Sequence, residues 1–306
     1  MSDTERLSYE SRWDRSAATP EEALIAVDGS ASEAVLKRTG EWNAGQVKAA
    51  LDLQPTDRVL ELGCGVGRIG LELLPHCAEW HGADISNNML QVAREWLGDS
   101  GRVKLHKLDR TELTGLEDDY FDKAYCVAVF IHMDKEDVYL YLRELARVLK
   151  PGGRMYFETW NLDDSVGWRR WMMEVNAWAA NEQRRRKDVS RNQFTVIDEL
   201  RLFLEHAGLT EVASFTHSAW LQVVAALEPD ADSLEAMREN VEANAGTIRY
   251  SEHWNHLFRG VIEVLCGDRE MQSLLEELGT REDPETALFR DYLKEQVRRA
   301  RSLESQ

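Results

Sequence analysis

A chain of 306 residues with 37 Lys and Arg against 55 Asp and Glu carries a formal net charge of −18. That balance disfavours a nucleic-acid partner, because non-specific affinity for polyanions comes from cations neutralising phosphates. Hydrophobic residues at 43% and charged residues at 30% support a sizeable globular core and exclude a disordered chain.

Cys64, Cys77, Cys126 and Cys266 show no C-x-x-C spacing, so neither a zinc site nor a disulfide framework is expected. The first residues are polar, and no long apolar run occurs, so the expectation is a cytoplasmic protein that avoids membranes. Residues 1–40 read as an N-terminal arm or lid, in which Tyr9 and Trp13 either pack on the surface or fold over a ligand. Pro20-Glu21-Glu22 opens a helix there. Val47, Ala50, Leu51 and Leu53 suit a helix lying on a sheet, and Pro55-Thr56-Asp57 ends it.

From Arg58 onward βα units repeat. Strands are predicted at 58–62, 80–85, 103–108, 120–129 and 154–159, with helices over 68–74, 87–97 and 135–149. This spacing predicts a doubly wound, mostly parallel sheet, whose ligands sit at the carboxyl ends of the strands. Residues 163–193 carry Trp168, Trp171 and Trp178 at helical spacing and read as an inserted helical lid. The cluster Arg184-Arg185-Arg186-Lys187 reads as a solvated helix face. A helix then fills 194–208, and strands at 210–215 and 220–227 pair antiparallel. Residues 41–229 form the main domain. Residues 230–306 form a helical extension with Trp254, Leu257, Phe258, Ile262 and Leu265 on its apolar side; it serves as a homodimer surface, a cap over the substrate or a separate helical domain.

The stretch from Arg58 to Gly70 is an apolar strand breaking into a glycine turn before a helix. Glycines at every second position allow positive φ and close approach of a ligand, and a helix N-terminus adds unpaired N–H groups. Gly65-Val66-Gly67-Arg68-Ile69-Gly70 spells G-x-G-x-x-G, and Asp84 follows about twenty residues on, so a dinucleotide seat is formally available. Glu61-x-Gly63-x-Gly65-x-Gly67 instead resembles motif I of the class I S-adenosylmethionine-dependent methyltransferases. Leu149-Lys150-Pro151-Gly152-Gly153 before the fifth strand is typical of the same family and shifts the choice towards it.

The resemblance covers about residues 40–227. It implies a seven-stranded Rossmann-like sheet, S-adenosyl-L-methionine as cofactor and S-adenosylhomocysteine as product. On it, Asp84 holds the ribose hydroxyls and Asp109-Arg110 faces the adenine. Glu61, Gly63, Cys64, Gly65, Gly67, Arg68, Ile85, Met89 and Trp13 complete the cofactor contacts, with Cys126 and Val127 approaching through backbone atoms. The segment from Phe121-Asp122 to His132-Met133 follows the family pattern and places His132 at its histidine. Tyr9, His132, Trp160, Trp168 and Trp171 are expected on the substrate side, with no metal. His132 is either a general base for a hydroxyl acceptor or a structural histidine at the sheet edge. No Asn-Pro-Pro-Tyr-like signature follows the fourth strand, which argues against methylation of nucleic-acid bases. The expected activity is methyl transfer to O or N of a small organic acceptor. A nicotinamide-dependent oxidoreductase and a non-catalytic binding protein on the same core are the alternatives.

Overall fold

Period-two apolar strands and helices with one apolar face come together as a single mixed sheet. The computed structural model describes residues 8–304 apart from Asp99, 181–188, Ser190 and Thr280. The cluster Arg184-Arg185-Arg186-Lys187 therefore lies outside the described residues. Strands β1 (Arg58–Leu62), β2 (Glu79–Asp84), β3 (Val103–Lys107), β4 (Phe121–Cys126) and β5 (Leu149–Asn161) run parallel. The two-residue β6 (Phe194–Thr195) pairs with the end of β5, and β8 (Trp220–Leu227) lies antiparallel between β5 and β7 (Leu209–Phe215). The strand order is β3-β2-β1-β4-β5-β8-β7. Because β1 pairs with β2 on one side and β4 on the other, the winding reverses there, and a crevice opens at the carboxyl ends of β1 and β4.

Three details depart from the sequence reading. The sheet adds a short eighth strand to the seven expected, because Phe194-Thr195 stays extended beside Trp160 and Asn161 before the next helix starts. The fourth strand stops at Cys126, since Ala128 takes a φ of 58° and Phe130–His132 forms one 3₁₀ turn. The fifth strand starts early: Leu149 pairs with Phe121, and a register shift absorbs Pro151 and Gly152 before regular pairing resumes at Arg154.

Side chains alternate across the sheet. Leu60 and Leu62 face a core completed by α6 (Lys135–Val148) and α8 (Ile197–Ala207). Val59 and Tyr125 face the opposite core. That second layer is built by α3 (Glu33–Leu51), α4 (Arg68–Leu73), α5 (Asn87–Leu97), α9 (Ala231–Ala243) and α10 (Ala245–Ile248). Each fully buried Leu or Val contributes roughly 1.5–3 kcal/mol by leaving water.

The last helices, α11 (Glu252–Leu265), α12 (Met271–Leu278) and α13 (Pro284–Glu304), turn their apolar stripes inward. Trp254, Leu257, Val261, Leu274 and Phe289 form their own cluster against Trp42 of α3 and Trp220 of β8. None of the described helices is long and apolar enough to cross a membrane.

Trp80 is fully buried, and a Cβ on Gly70 would sit 2.3 Å from its indole ring. Gly70→Ala is therefore expected to overpack the α4–β2 contact and cost about 1–3 kcal/mol of stability, read as a lower denaturant midpoint.

Candidate active site

The turn after β1 is shaped by its glycines and held by the next strand. Gly63, Gly65 and Gly67 have φ of 72°, 53° and 77°. A Cβ on Gly63 would come within 2.3 Å of Val129, and one on Gly65 within 2.9 Å of Val27, so residues from two other elements crowd the turn. The Gly63 and Cys64 N–H groups donate to the Ala83 carbonyl, at 2.7 and 3.1 Å. The Asp84 carboxylate accepts from the Gly65 N–H through Oδ2 and from the Ser86 N–H through Oδ1, each at 2.8 Å. One side chain thus ties the turn after β1 to the turn after β2. Its oxygens keep further lone pairs for a ligand.

Glu61 is sealed beneath the same turn. The Tyr125 hydroxyl donates to its Oε2 at 2.5 Å, and the Trp80 indole N–H donates to that hydroxyl at 3.0 Å. Burial, with Asp84 nearby adding to it, pushes the Glu61 carboxyl up to about 8 against the opposing pull of Tyr125 and Arg68.

A cavity of about 500 Å³ opens at these strand tips. It is lined by Glu61, Gly63, Cys64, Gly65, Arg68, Asp84, Ile85, Met89, Asp109, Arg110 and Val127, and by Tyr9, Trp13 and His132 on the opposite wall. Gly67 and Cys126 stand behind it and do not line it. The side chain of Asp109 is 90% exposed, placing that pair at the rim.

Helices α1 (Tyr9–Ser16) and α2 (Pro20–Asp28) cross the opening. Tyr9 donates its hydroxyl hydrogen to Asp137 at 2.8 Å and accepts the Asp134 N–H at 3.0 Å. Asp14 accepts from the Ser86 hydroxyl at 2.7 Å and from the Asn88 N–H at 3.3 Å. Trp13 meets the His132 ring edge-on, with centroids 4.8 Å apart. Both aromatics of the arm, Tyr9 and Trp13, line this cavity. Asp14 escaped sequence reading because an isolated acid on a short polar helix carries no pattern.

A second cavity, about 360 Å³, adjoins the first and shares Val27, Arg68, Val127 and Ala128 with it. Its far walls come from β5, β8 and the C-terminal helices. Trp160 stacks on Trp220 at 4.5 Å, and Trp254 stacks between Tyr250 at 4.0 Å and Phe258 at 4.7 Å. Trp160, expected beside the substrate, stands here. Trp168 and Trp171, at 4.9 Å from each other on α7 (Ser165–Ala179), line neither of these cavities, and Trp168 is 51% exposed.

Within this second cavity lies Glu158 of β5, a residue the sequence reading passed over. The Tyr250 hydroxyl donates to its Oε2 at 2.8 Å and the Tyr156 hydroxyl at 3.4 Å. Gln222 on β8 donates to the Tyr156 hydroxyl at 2.7 Å. Burial is the main cause that pushes Glu158 up to about 7. An acid inside a buried strand, alternating with apolar neighbours, was the available signal.

Both carboxyls ionise near 4.5 when exposed and hold their protons to about 8 and about 7 when folded. Folding thus takes up protons across that window, and their contribution to stability falls as pH rises through it. Glu61→Gln is expected to flatten the slope of unfolding free energy between those limits, measured by denaturant titration at a series of pH values.

Residues 59–153 match the family described as "Methyltransferase domain". The methyltransferase GfsG of Streptomyces halstedii is 38% identical over 125 residues, 39% of this chain and 44% of that protein. An O-methyltransferase of Pyrenophora dematioidea is 32% identical over 114 residues, 36% of this chain and 42% of that protein. The ubiquinone/menaquinone biosynthesis C-methyltransferase UbiE of Vibrio vulnificus (strain YJ016) is 38% identical over 110 residues, 33% of this chain and 40% of that protein. The chain thus spans less than half the length of each of these relatives. Among solved structures, an S-adenosylmethionine dependent methyltransferase from Mesorhizobium loti superposes with a TM-score of 0.46 at 19% identity, covering 61% of this chain and 97% of that one. The matched segment runs from the strand that carries Glu61, through the turn that Asp84 holds, to the glycines at the start of the fifth strand: residues 59–153 are similar to a methyltransferase domain.

Proposed function

We propose that the 500 Å³ cavity binds S-adenosyl-L-methionine and that the protein transfers its methyl group to an O or N atom of a small organic acceptor. The observation that carries this reading is the glycine turn closed by Asp84 over a buried Glu61, in a segment matching a methyltransferase domain. The donor set fits the cofactor. Two carboxyls at the tips of β1 and β2 suit an ammonium group and a ribose diol, while Ile85, Met89 and Leu108 offer an apolar slot for the base. A dinucleotide would satisfy Asp84 equally, but the methyltransferase match favours the sulfonium nucleoside.

When bound, S-adenosylmethionine supplies an activated methyl on a sulfonium, so the chain has mainly to align an acceptor and exclude water. Helix α1 closes one side of the cavity through Tyr9 and Asp14. The contact of His132 with Trp13 favours His132 as part of that closure, over a role as base. The inward packing of α11 and α13 favours a cap over the acceptor, over a homodimer face. The acidic charge and the buried thiols accord with a small-molecule enzyme of the cytoplasm, with no nucleic-acid or membrane partner.

Asp84→Asn keeps one acceptor oxygen but turns an amide towards the Gly65 or Ser86 N–H. Calorimetry is expected to show S-adenosylhomocysteine binding weakened at least about tenfold. Unchanged affinity would remove Asp84 from the site, and a wild-type protein that takes up NAD instead would overturn the cofactor. In a double-mutant cycle, Trp13→Ala and His132→Ala should each weaken binding with effects that do not add, because they remove the same closure.

A further inference from the structure

The second cavity is lined by aromatic rings, but it also contains charge. Arg68 is engaged by Asn43 at 2.7 Å, and Arg170 by Glu174 at 3.0 Å. Asp28 accepts from Thr39 at 2.8 Å and lies in the field of Arg68. Charged groups of both signs thus line the cavity, so a charged guest of either sign would meet a like charge, and aromatic faces reward a flat, neutral guest. Trp160 and Trp42 line this cavity as well, and their buried indole N–H groups have no hydrogen-bond partner among the described residues. Unpartnered donors of this kind are uncommon in packed interiors and suit a ligand bearing acceptor oxygens.

We propose that this second cavity is the methyl-acceptor site and that it takes a flat, uncharged aromatic molecule bearing a phenolic hydroxyl, whose proton passes to the Glu158 carboxylate. The proposal rests on the methyl-transfer reading above. The four shared residues, Val27, Arg68, Val127 and Ala128, make the two cavities neighbours, so an acceptor on one side can face a methyl donor on the other. In the transfer, the acceptor O–H bond breaks and its proton goes to Glu158. A new O–C bond forms to the methyl, the S–C bond breaks, and its electron pair stays on sulfur as a neutral thioether.

Glu158 suits that work. Both recorded hydrogen bonds reach it through Oε2, from neutral hydroxyls of Tyr250 and Tyr156. Its carboxyl, pushed up to about 7 by burial, takes and returns a proton near neutral pH. The titratable and charged groups facing it are Tyr156 on its own strand, Tyr250 ahead of α11, Arg68 on α4 and Cys126 on β4, with Asp28 and Arg170 on the same cavity wall. Of these, Arg68 lowers the Glu158 value, and Tyr156 and Tyr250 are themselves held neutral by burial.

The test is calorimetry on the full chain with three probes: S-adenosylhomocysteine, 2-naphthol and 2-methoxynaphthalene. The wild type is expected to bind 2-naphthol with S-adenosylhomocysteine already in place. Val261→Phe, which fills the cavity, and Phe258→Ala, which removes a wall, should each weaken 2-naphthol about tenfold and leave S-adenosylhomocysteine unchanged. At about pH 8 the wild type should prefer the naphthol to its methyl ether by about tenfold, because an ionised carboxylate accepts from O–H and repels an ether oxygen. That preference should vanish at about pH 5 and in Glu158→Gln. Naphthol binding untouched by both cavity variants, or displaced by S-adenosylhomocysteine, would overturn the site. A preference unmoved by pH and by Glu158→Gln would overturn the role of Glu158. Naphthol binding without any S-adenosylhomocysteine binding would instead sink the methyl-transfer reading, and the acceptor role with it.

Discussion

Everything at the strand tips depends on one carboxylate bridging two turns. Asp84 takes one backbone N–H from the glycine turn and one from the start of α5, both at 2.8 Å. Backbone donors gathered on a charged acceptor in a water-poor setting make strong bonds, and they fix the spacing between β1 and β2 at the mouth of the cavity. The same α5 terminus then reaches outward: Ser86 and Asn88 hold Asp14 and so position α1. The floor of the cavity and one edge of α1 are therefore registered against the same turn.

Arg68 has a comparable position between the cavities. It lies in both linings and acts electrostatically on Glu61 on one side and on Asp28 and Glu158 on the other. Three buried carboxyls around one guanidinium leave the region short of positive charge, which is why burial prevails and all three carboxyls are raised.

How much of this was legible in sequence follows from where each signal resides. The glycine turn, Asp84 and the βα rhythm depend on local backbone requirements and on period, so they could be read from residues in order. Ala128 could not: an alanine at φ 58° contradicts its own propensity, and only the fold around it explains the position. Trp254, Phe258 and Ile262 were legible as an apolar stripe, but a stripe does not name what it packs against. Their meeting with Trp160 and Trp220, from strands far away in sequence, depends on topology. Trp168 and Trp171 carried the same kind of signal, yet line neither cavity, which illustrates how little aromatic spacing alone says about destination.

Helix α1 contains no buried residue, and hydrogen bonds and ion pairs at its edge, such as Glu10 with Lys107 at 2.9 Å, hold it in place. A wall fastened mainly by polar contacts, with Trp13 against His132 as its aromatic one, is the cheapest part of the enclosure to lift, because releasing it returns most of those groups to water and exposes little apolar surface. Traffic into the crevice thus has a natural doorway on the amino-terminal side, one whose latch weakens with added salt long before the sheet beneath it loosens.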